Sequence, residues 1–96
     1  MIKHIVFFRF KASVAQPERE AFLAMLNALP AKISDVLEFQ AGSNVVPSAR
    51  AFDLALVANF ADLAALDRYG KHPDHQPVIQ RSREICEQTA AVDYAF

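Results

Sequence analysis

The stretch from Ile2 to Phe10 constrains the architecture more than any other. Ile2, His4, Val6, Phe8 and Phe10 fall on one side of an extended chain, and Lys3, Ile5, Phe7 and Arg9 fall on the other. Successive side chains of a strand point to opposite faces, and β-branched and aromatic types pack well on a pleated surface, so the run predicts a strand. Both sides are apolar at its centre, with Val6 and Phe8 on one and Ile5 and Phe7 on the other. A strand of this composition belongs inside a sheet that is covered on both faces.

The remaining elements follow from local signals. Pro17 suits a first helical position because its missing N–H is not needed there, and Glu18 and Glu20 favour the positive end of a helix dipole. Phe22, Met25, Leu26 and Leu29 then recur at helical spacing, and Pro30 is expected to end the helix. Val36 to Val46 reads as a second strand, with Gly42 as a bulge or bend, Asn44 at the approach to a turn, and Pro47 to Arg50 as the loop. Ala51 to Phe60 reads as a third strand that pairs with the second in a hairpin. Phe52, Leu54, Leu56, Ala58 and Phe60 are expected on one face, against Asp53, Ala55, Val57 and Asn59.

Asp62 is placed to cap a short helix carrying Leu63, Leu66 and Tyr69, which Gly70 is expected to end in a left-handed conformation. A further helix starting between Pro73 and Pro77 carries Val78, Ile79, Ser82, Ile85, Cys86 and Thr89 at three- and four-residue steps. Ala90 to Phe96 alternates Val92, Tyr94 and Phe96 with Ala91, Asp93 and Ala95, and so predicts a last strand. The order is β-α-β-β-α-β with the second helix broken. This is the α+β, ferredoxin-like plan of an antiparallel sheet with helices on one face, in a single domain over residues 1–96.

Composition adds a partner. A chain of 96 residues that is 53% hydrophobic, with eight phenylalanines and no tryptophan, carries more apolar material than one small core uses. Ile5, Phe7, Val57 and one side of the last strand lie away from the helices, so the helix-free sheet face is expected to be buried in a homodimer. Other partners are disfavoured. A net charge of −1 with scattered Lys and Arg offers no patch for nucleic acid, and no run approaches the length of a membrane span. Ile2 to Phe10 is too charged at its ends for a signal-peptide core, so a cytoplasmic location is expected. Cys86, the one cysteine, falls at an apolar helical position and reads as a small buried hydrophobe rather than a reactive thiol.

Chemistry concentrates in Tyr69-Gly70-Lys71-His72-Pro73-Asp74-His75. Near the start of a helix His75 is disfavoured as a cation, which leaves a neutral ring able to accept a proton; the competing reading is a helix cap. Tyr69 can donate its phenol proton to a substrate oxygen, or simply close the core of its helix. His72 follows a helix end and reads as structural support. His4 is either a hydrogen-bonded core histidine or, with a pocket on its face, a ligand contact. Asp93 either holds His4 or is solvated. His4, His72 and His75 lack the one-face spacing of a zinc site, so no metal is expected. No Gly-rich phosphate loop, nucleophile elbow or paired catalytic carboxylates occur, which argues against nucleotide, serine-hydrolase and glycosidase chemistry.

Several segments together resemble the stress-responsive α/β-barrel family, a branch of the dimeric α+β barrel proteins. They are Lys3-His4-Ile5-Val6, Phe8-Arg9-Phe10-Lys11, Gly42 and Asn44, Phe52-Asp53-Leu54-Ala55-Leu56, His72-Pro73-Asp74-His75 and Val92-Asp93-Tyr94. The resemblance implies a homodimer whose sheets meet as a barrel, with a ligand pocket in each subunit between sheet and helices. The chain is also similar to polyketide cyclases of the olivetolic acid type, which close a linear polyketide by aldol condensation without a cofactor. It matches their catalytic tyrosine and histidine at Tyr69 and His75, and their pocket residues at His4, Val6, Phe8, Phe22 and Leu56. It departs from them at Leu26, a further expected wall residue, and at Cys86. Two functions follow as expectations. One is cofactor-independent cyclase- or lyase-like proton transfer on a small apolar, oxygen-bearing carbonyl compound, with His75 as base and Tyr69 as acid. The other is a non-catalytic ligand-binding or stress-response homodimer.

Overall fold

In the computed structural model, which describes residues 1–96, the chain runs through β1 (Ile2–Phe10), α1 (Gln16–Lys32), β2 (Glu38–Ser43), β3 (Leu54–Phe60), α2 (Leu63–Lys71), a 3-10 turn (Pro73–His75), α3 (Gln76–Ile85) and β4 (Cys86–Ala95). The strands form one antiparallel sheet in the order β2-β3-β1-β4. β1 therefore occupies a central place with a neighbour on each side, as its two apolar faces require. Val6 stands opposite Leu56 and Ala91, and His4 opposite Ala58 and Asp93. Phe8, Leu54, Leu56, Ala58 and Phe60 on this face pack against Phe22, Leu26 and Leu29 of α1, Ala65 and Tyr69 of α2, and Val78 and Ile85 of α3. The helices thus cover a single face, and the architecture is the expected ferredoxin-like α+β fold. On the other face Phe7, Val92 and Tyr94 are exposed.

Several local expectations are corrected. Pro30 lies inside α1, which continues to Lys32. A proline in a last turn removes one helical hydrogen bond but leaves the closing one intact: the Ile33 N–H donates to the Leu29 carbonyl at 3.0 Å, and Ile33 is itself buried. The second strand is shorter than expected, because the Asn44 side chain ties itself to Val46 through both its amide nitrogen (3.0 Å) and its oxygen (3.4 Å) and so turns the chain. Gly42 makes no bulge and pairs in register with Ala55. Gly70 keeps a negative φ and stays within α2. The helix stops instead because His72 precedes Pro73 and is extended (φ −60°, ψ 137°).

The third strand starts at Leu54 rather than Ala51. Asp53 leaves the alternation by turning its carboxylate to the Phe10 N–H at 2.9 Å. Phe52 consequently lands on the face opposite Leu54, where its ring meets Phe7 (5.8 Å between centroids) beneath the Arg9 guanidinium. The last strand begins four residues before Ala90, at Cys86, so Thr89 is a strand residue opposite Phe8. Pairing with the end of β1 outweighs the helical spacing that carried the periodicity past Ile85.

Candidate functional site

The break between α2 and α3 is built from its own polar groups. α2 is started by Asp62, whose carboxylate accepts the Ala65 N–H at 2.8 Å. Ala65 and Tyr69, four residues apart, turn to the sheet and are buried. After Pro73 the chain makes one 3-10 turn, capped by His72, whose Nδ1 accepts the Asp74 N–H at 3.0 Å. The His72 side chain thus serves the next turn as an acceptor, while its backbone N–H closes the preceding helix by donating to the Tyr69 carbonyl at 3.2 Å. The Gln76 side chain ties the two sides together by donating to the carbonyls of Gly70 (3.1 Å) and His72 (3.2 Å).

This connection brings His75 back over Tyr69, with ring centroids 4.3 Å apart and planes inclined by 31°. His75 Nδ1 lies 3.3 Å from the Gly70 carbonyl oxygen. That oxygen only accepts, so the bond requires a proton on Nδ1 and leaves Nε2 of a neutral ring as the acceptor. Burial lowers the His75 pKa from 6.5; the Gly70 hydrogen bond opposes the shift, and the charges of His4 and His72 add to it. Burial pushes the Tyr69 phenol in the opposite sense, up to about 12. The phenol is therefore protonated and the imidazole neutral around pH 7. The Tyr69 hydroxyl is closed off from solvent and has no hydrogen-bond partner in the protein. His4 meets the Tyr69 ring edge at 6.0 Å between centroids, and its Nδ1 is bonded to Asp93 Oδ1, directly opposite it in the sheet register.

Tyr69 and His75 line a cavity of about 290 Å³ between sheet and helices, together with His4, Val6 and Phe8 of β1, Leu26 of α1 and Leu56 of β3. Phe22 is not on its wall. The Phe22 ring sits edge-on to Phe8 (5.2 Å) and Phe10 (6.0 Å), so Phe8 stands in front of it. His72 and Asp93 are also outside this cavity. Asp93 borders a neighbouring hollow of about 370 Å³, which reaches His4, Tyr69 and His75 from the other side along Gly70 and Lys71. No three His, Cys, Asp or Glu side chains converge as ligands for a metal ion.

Five wall residues were not anticipated: Val78, Ile79, Ser82 and Arg83 of α3, and Thr89 of β4. A signal for most of them was present. Starting from His75, four-residue steps reach Ile79 and Arg83, and the neighbouring stripe carries Val78 and Ser82. Thr89 was hidden by the late placement of the last strand.

The family model of the stress responsive A/B barrel domain matches residues 2–96. An uncharacterised protein of Streptomyces coelicolor is 31% identical over 98 aligned residues, with 100% of each chain covered. A dimeric protein of unknown function and ferredoxin-like fold from Bacteroides fragilis superposes with a TM-score of 0.87 at 33% identity, covering 99% of this chain and 95% of that one. The hydroxynitrile lyase of Passiflora edulis has the same fold, with a TM-score of 0.89 at 21% identity and coverage of 99% and 92%. With the fold and these matches over its whole length, the chain belongs to the stress-responsive A/B barrel domain family.

Proposed function

We propose that this chain forms a homodimer in which each cavity binds a small, largely apolar carbonyl compound, and that Tyr69 and His75 transfer a proton on it without a cofactor. The observation that carries this reading is the Tyr69 hydroxyl, buried and without an acceptor, beside a neutral His75 on the wall of an apolar cavity. An unsatisfied buried hydroxyl costs about 1 to 3 kcal/mol, and a ligand oxygen would relieve it. In the proposed step the phenol donates a hydrogen bond to the carbonyl oxygen, which makes the neighbouring C–H more acidic. His75 Nε2 takes that proton, the C–H electron pair passes into the enolate, and Tyr69 stabilises the charge that develops on oxygen. The enolate carbon can then attack a second carbonyl, as in a cyclase, and the reverse breaks a carbon–carbon bond, as in a lyase. That a plant lyase uses the same fold supports catalysis on this frame, and the dimeric Bacteroides fragilis structure supports the assembly.

The test is exchange of carbon-bound hydrogen. With 2-heptanone in deuterated buffer, the wild-type protein is expected to speed loss of the α-proton signals above the buffer rate. His75→Ala and Tyr69→Phe should each bring the rate close to background, and the double variant should lose no more than the worse single, because both groups serve one step. Unchanged exchange in His75→Ala removes the catalytic reading. The second reading, a ligand-binding or stress-response dimer without turnover, is favoured by the closure of the Tyr69 hydroxyl from solvent. It predicts binding of the ketone with no exchange.

A further inference from the structure

The cavity is chemically lopsided. At one end lie Tyr69, His75 and His4; its middle is Val6, Leu26, Leu56, Val78 and Ile79; at the other end are Arg83, Ser82 and Thr89. Arg83 is the one side chain of fixed charge on the wall. It has neither an ion pair nor a side-chain hydrogen bond, whereas Arg81, two residues earlier on α3, is held by both Glu18 (3.2 Å) and Glu84 (3.1 Å). Arg9, Arg19 and Arg68 are likewise tied, to Gln88 and the Ala51 carbonyl, to the Val14 carbonyl, and to Asp35. The only other arginine without a partner, Arg50, lies in the loop on the opposite face. No carboxylate lines the cavity to neutralise Arg83.

Two rulers give the span between the ends. From His75, the residue just before α3, to Arg83 on it is eight residues, about 12 Å at the helical rise. Along β1, His4 and Phe8 are four residues apart, about 13 Å at the strand rise, and Thr89 stands opposite Phe8 as Asp93 stands opposite His4. Both elements therefore set the proton-handling groups at one end and the guanidinium with its two hydroxyl neighbours at the other.

We infer that the ligand of this cavity is an oxo acid: a carbonyl at the Tyr69 and His75 end, an apolar chain or ring through the middle, and a carboxylate held by Arg83. The inference rests on the cavity being the ligand site, as proposed above. It specifies what the proton-transfer reading leaves open, namely a charged far end on an otherwise apolar substrate. A guanidinium forks two N–H donors onto a carboxylate, and Ser82 and Thr89 supply further hydroxyl donors beside it. Remote binding of this kind fixes the reacting carbonyl against the acid and base.

The experiment uses 8-oxononanoate and its neutral primary amide as a matched pair of probes, with affinities read by NMR titration of the intact protein. The wild type should prefer the acid by roughly fivefold, an effect limited because Arg83 is exposed and screened by solvent. The preference should shrink at high salt. Arg83→Gln should bring the affinity for the acid down to that for the amide and so abolish the preference, and Arg83→Lys should restore part of it. Tyr69→Phe should weaken both probes alike. If both probes bind equally, or the preference survives Arg83→Gln, the anionic anchor is wrong and the cavity remains a site for neutral carbonyl compounds. If neither probe shifts any cavity resonance, the cavity is not this ligand site and the anchor falls with it.

Discussion

At the scale of single residues, one physical cause sets both halves of the candidate acid–base pair. Removing a group from water disfavours its charged form, which raises the pKa of an acid such as Tyr69 and lowers that of a base such as His75. The same burial should be readable as a pH dependence of stability. An unfolded His75 takes a proton near 6.5, whereas the folded one resists it to lower pH. Between those two values the unfolded state binds more protons, so stability is full above 6.5, falls as the pH drops through the window, and is level again below the folded pKa. Repulsion from His4 and His72 acts in the same direction. Tyr69 gives the alkaline counterpart: unfolded it ionises near 10 and folded near 12, so stability falls as the pH rises through that interval. Urea midpoints measured from pH 7.5 down to 5, at fixed protein concentration, are expected to decline for the wild type and to be flatter for His75→Gln. Equal slopes would mean that His75 is not shielded from water.

At the scale of elements, what was legible in the sequence was what neighbouring residues decide among themselves. Strict alternation gave the limits of β1, and the Asp62 cap and the Pro73 break set the short helix that carries Tyr69. The proximity of Tyr69 to His75 followed from the same turn. Illegible were features decided by residues distant in sequence. Asp53 reaches across to the Phe10 backbone and throws Phe52 onto the other face, while β1 draws Cys86 to Thr89 into a strand although their spacing is helical. Arg83 went unseen because an exposed cation on a helix usually means only a solvated face. Phe22 shows the limit most clearly: its periodicity places it towards the sheet, but only three dimensions show Phe8 between it and the cavity. Phe22 should therefore behave as a core residue. It is 1% exposed and wedged against two rings, and Phe22→Ala is expected to cost about 3 to 5 kcal/mol in a denaturant titration. A loss below about 1 kcal/mol would contradict this placement.

At the scale of the whole molecule, the subunit is a slab. Its Cα atoms span 36 × 26 × 17 Å, and the short dimension holds one sheet and one layer of helices. The uncovered face carries an apolar row from Val57 through Ile5 to Val92, in register across three strands. In the next row Phe7 stands between Ala55 and Ala90, with Gly42 beyond Ala55. The large ring beside small residues makes a projection and a hollow on one surface; a groove of about 420 Å³ runs there between Phe7, Phe52, Val45 and Gly42. A surface that is its own complement in this way suits a two-fold pair of identical subunits. β4 adds to the need for cover, because it is an edge strand whose Val92 and Tyr94 are 59% and 46% exposed. The wild type is therefore expected to sediment at twice its 10.7 kDa chain mass at micromolar concentration. Val92→Asp and Phe7→Glu each place a charge on this apolar face, which a second subunit would have to strip of water to cover it, and should shift sedimentation to the single-chain mass or lead to aggregation. Lys3→Gln, beside the Phe96 ring at the margin, should leave the dimer intact, because a rim charge contributes little. A wild-type chain that sediments as a stable 10.7 kDa monomer would overturn the assembly, since so continuous an apolar row should not stay in water uncovered.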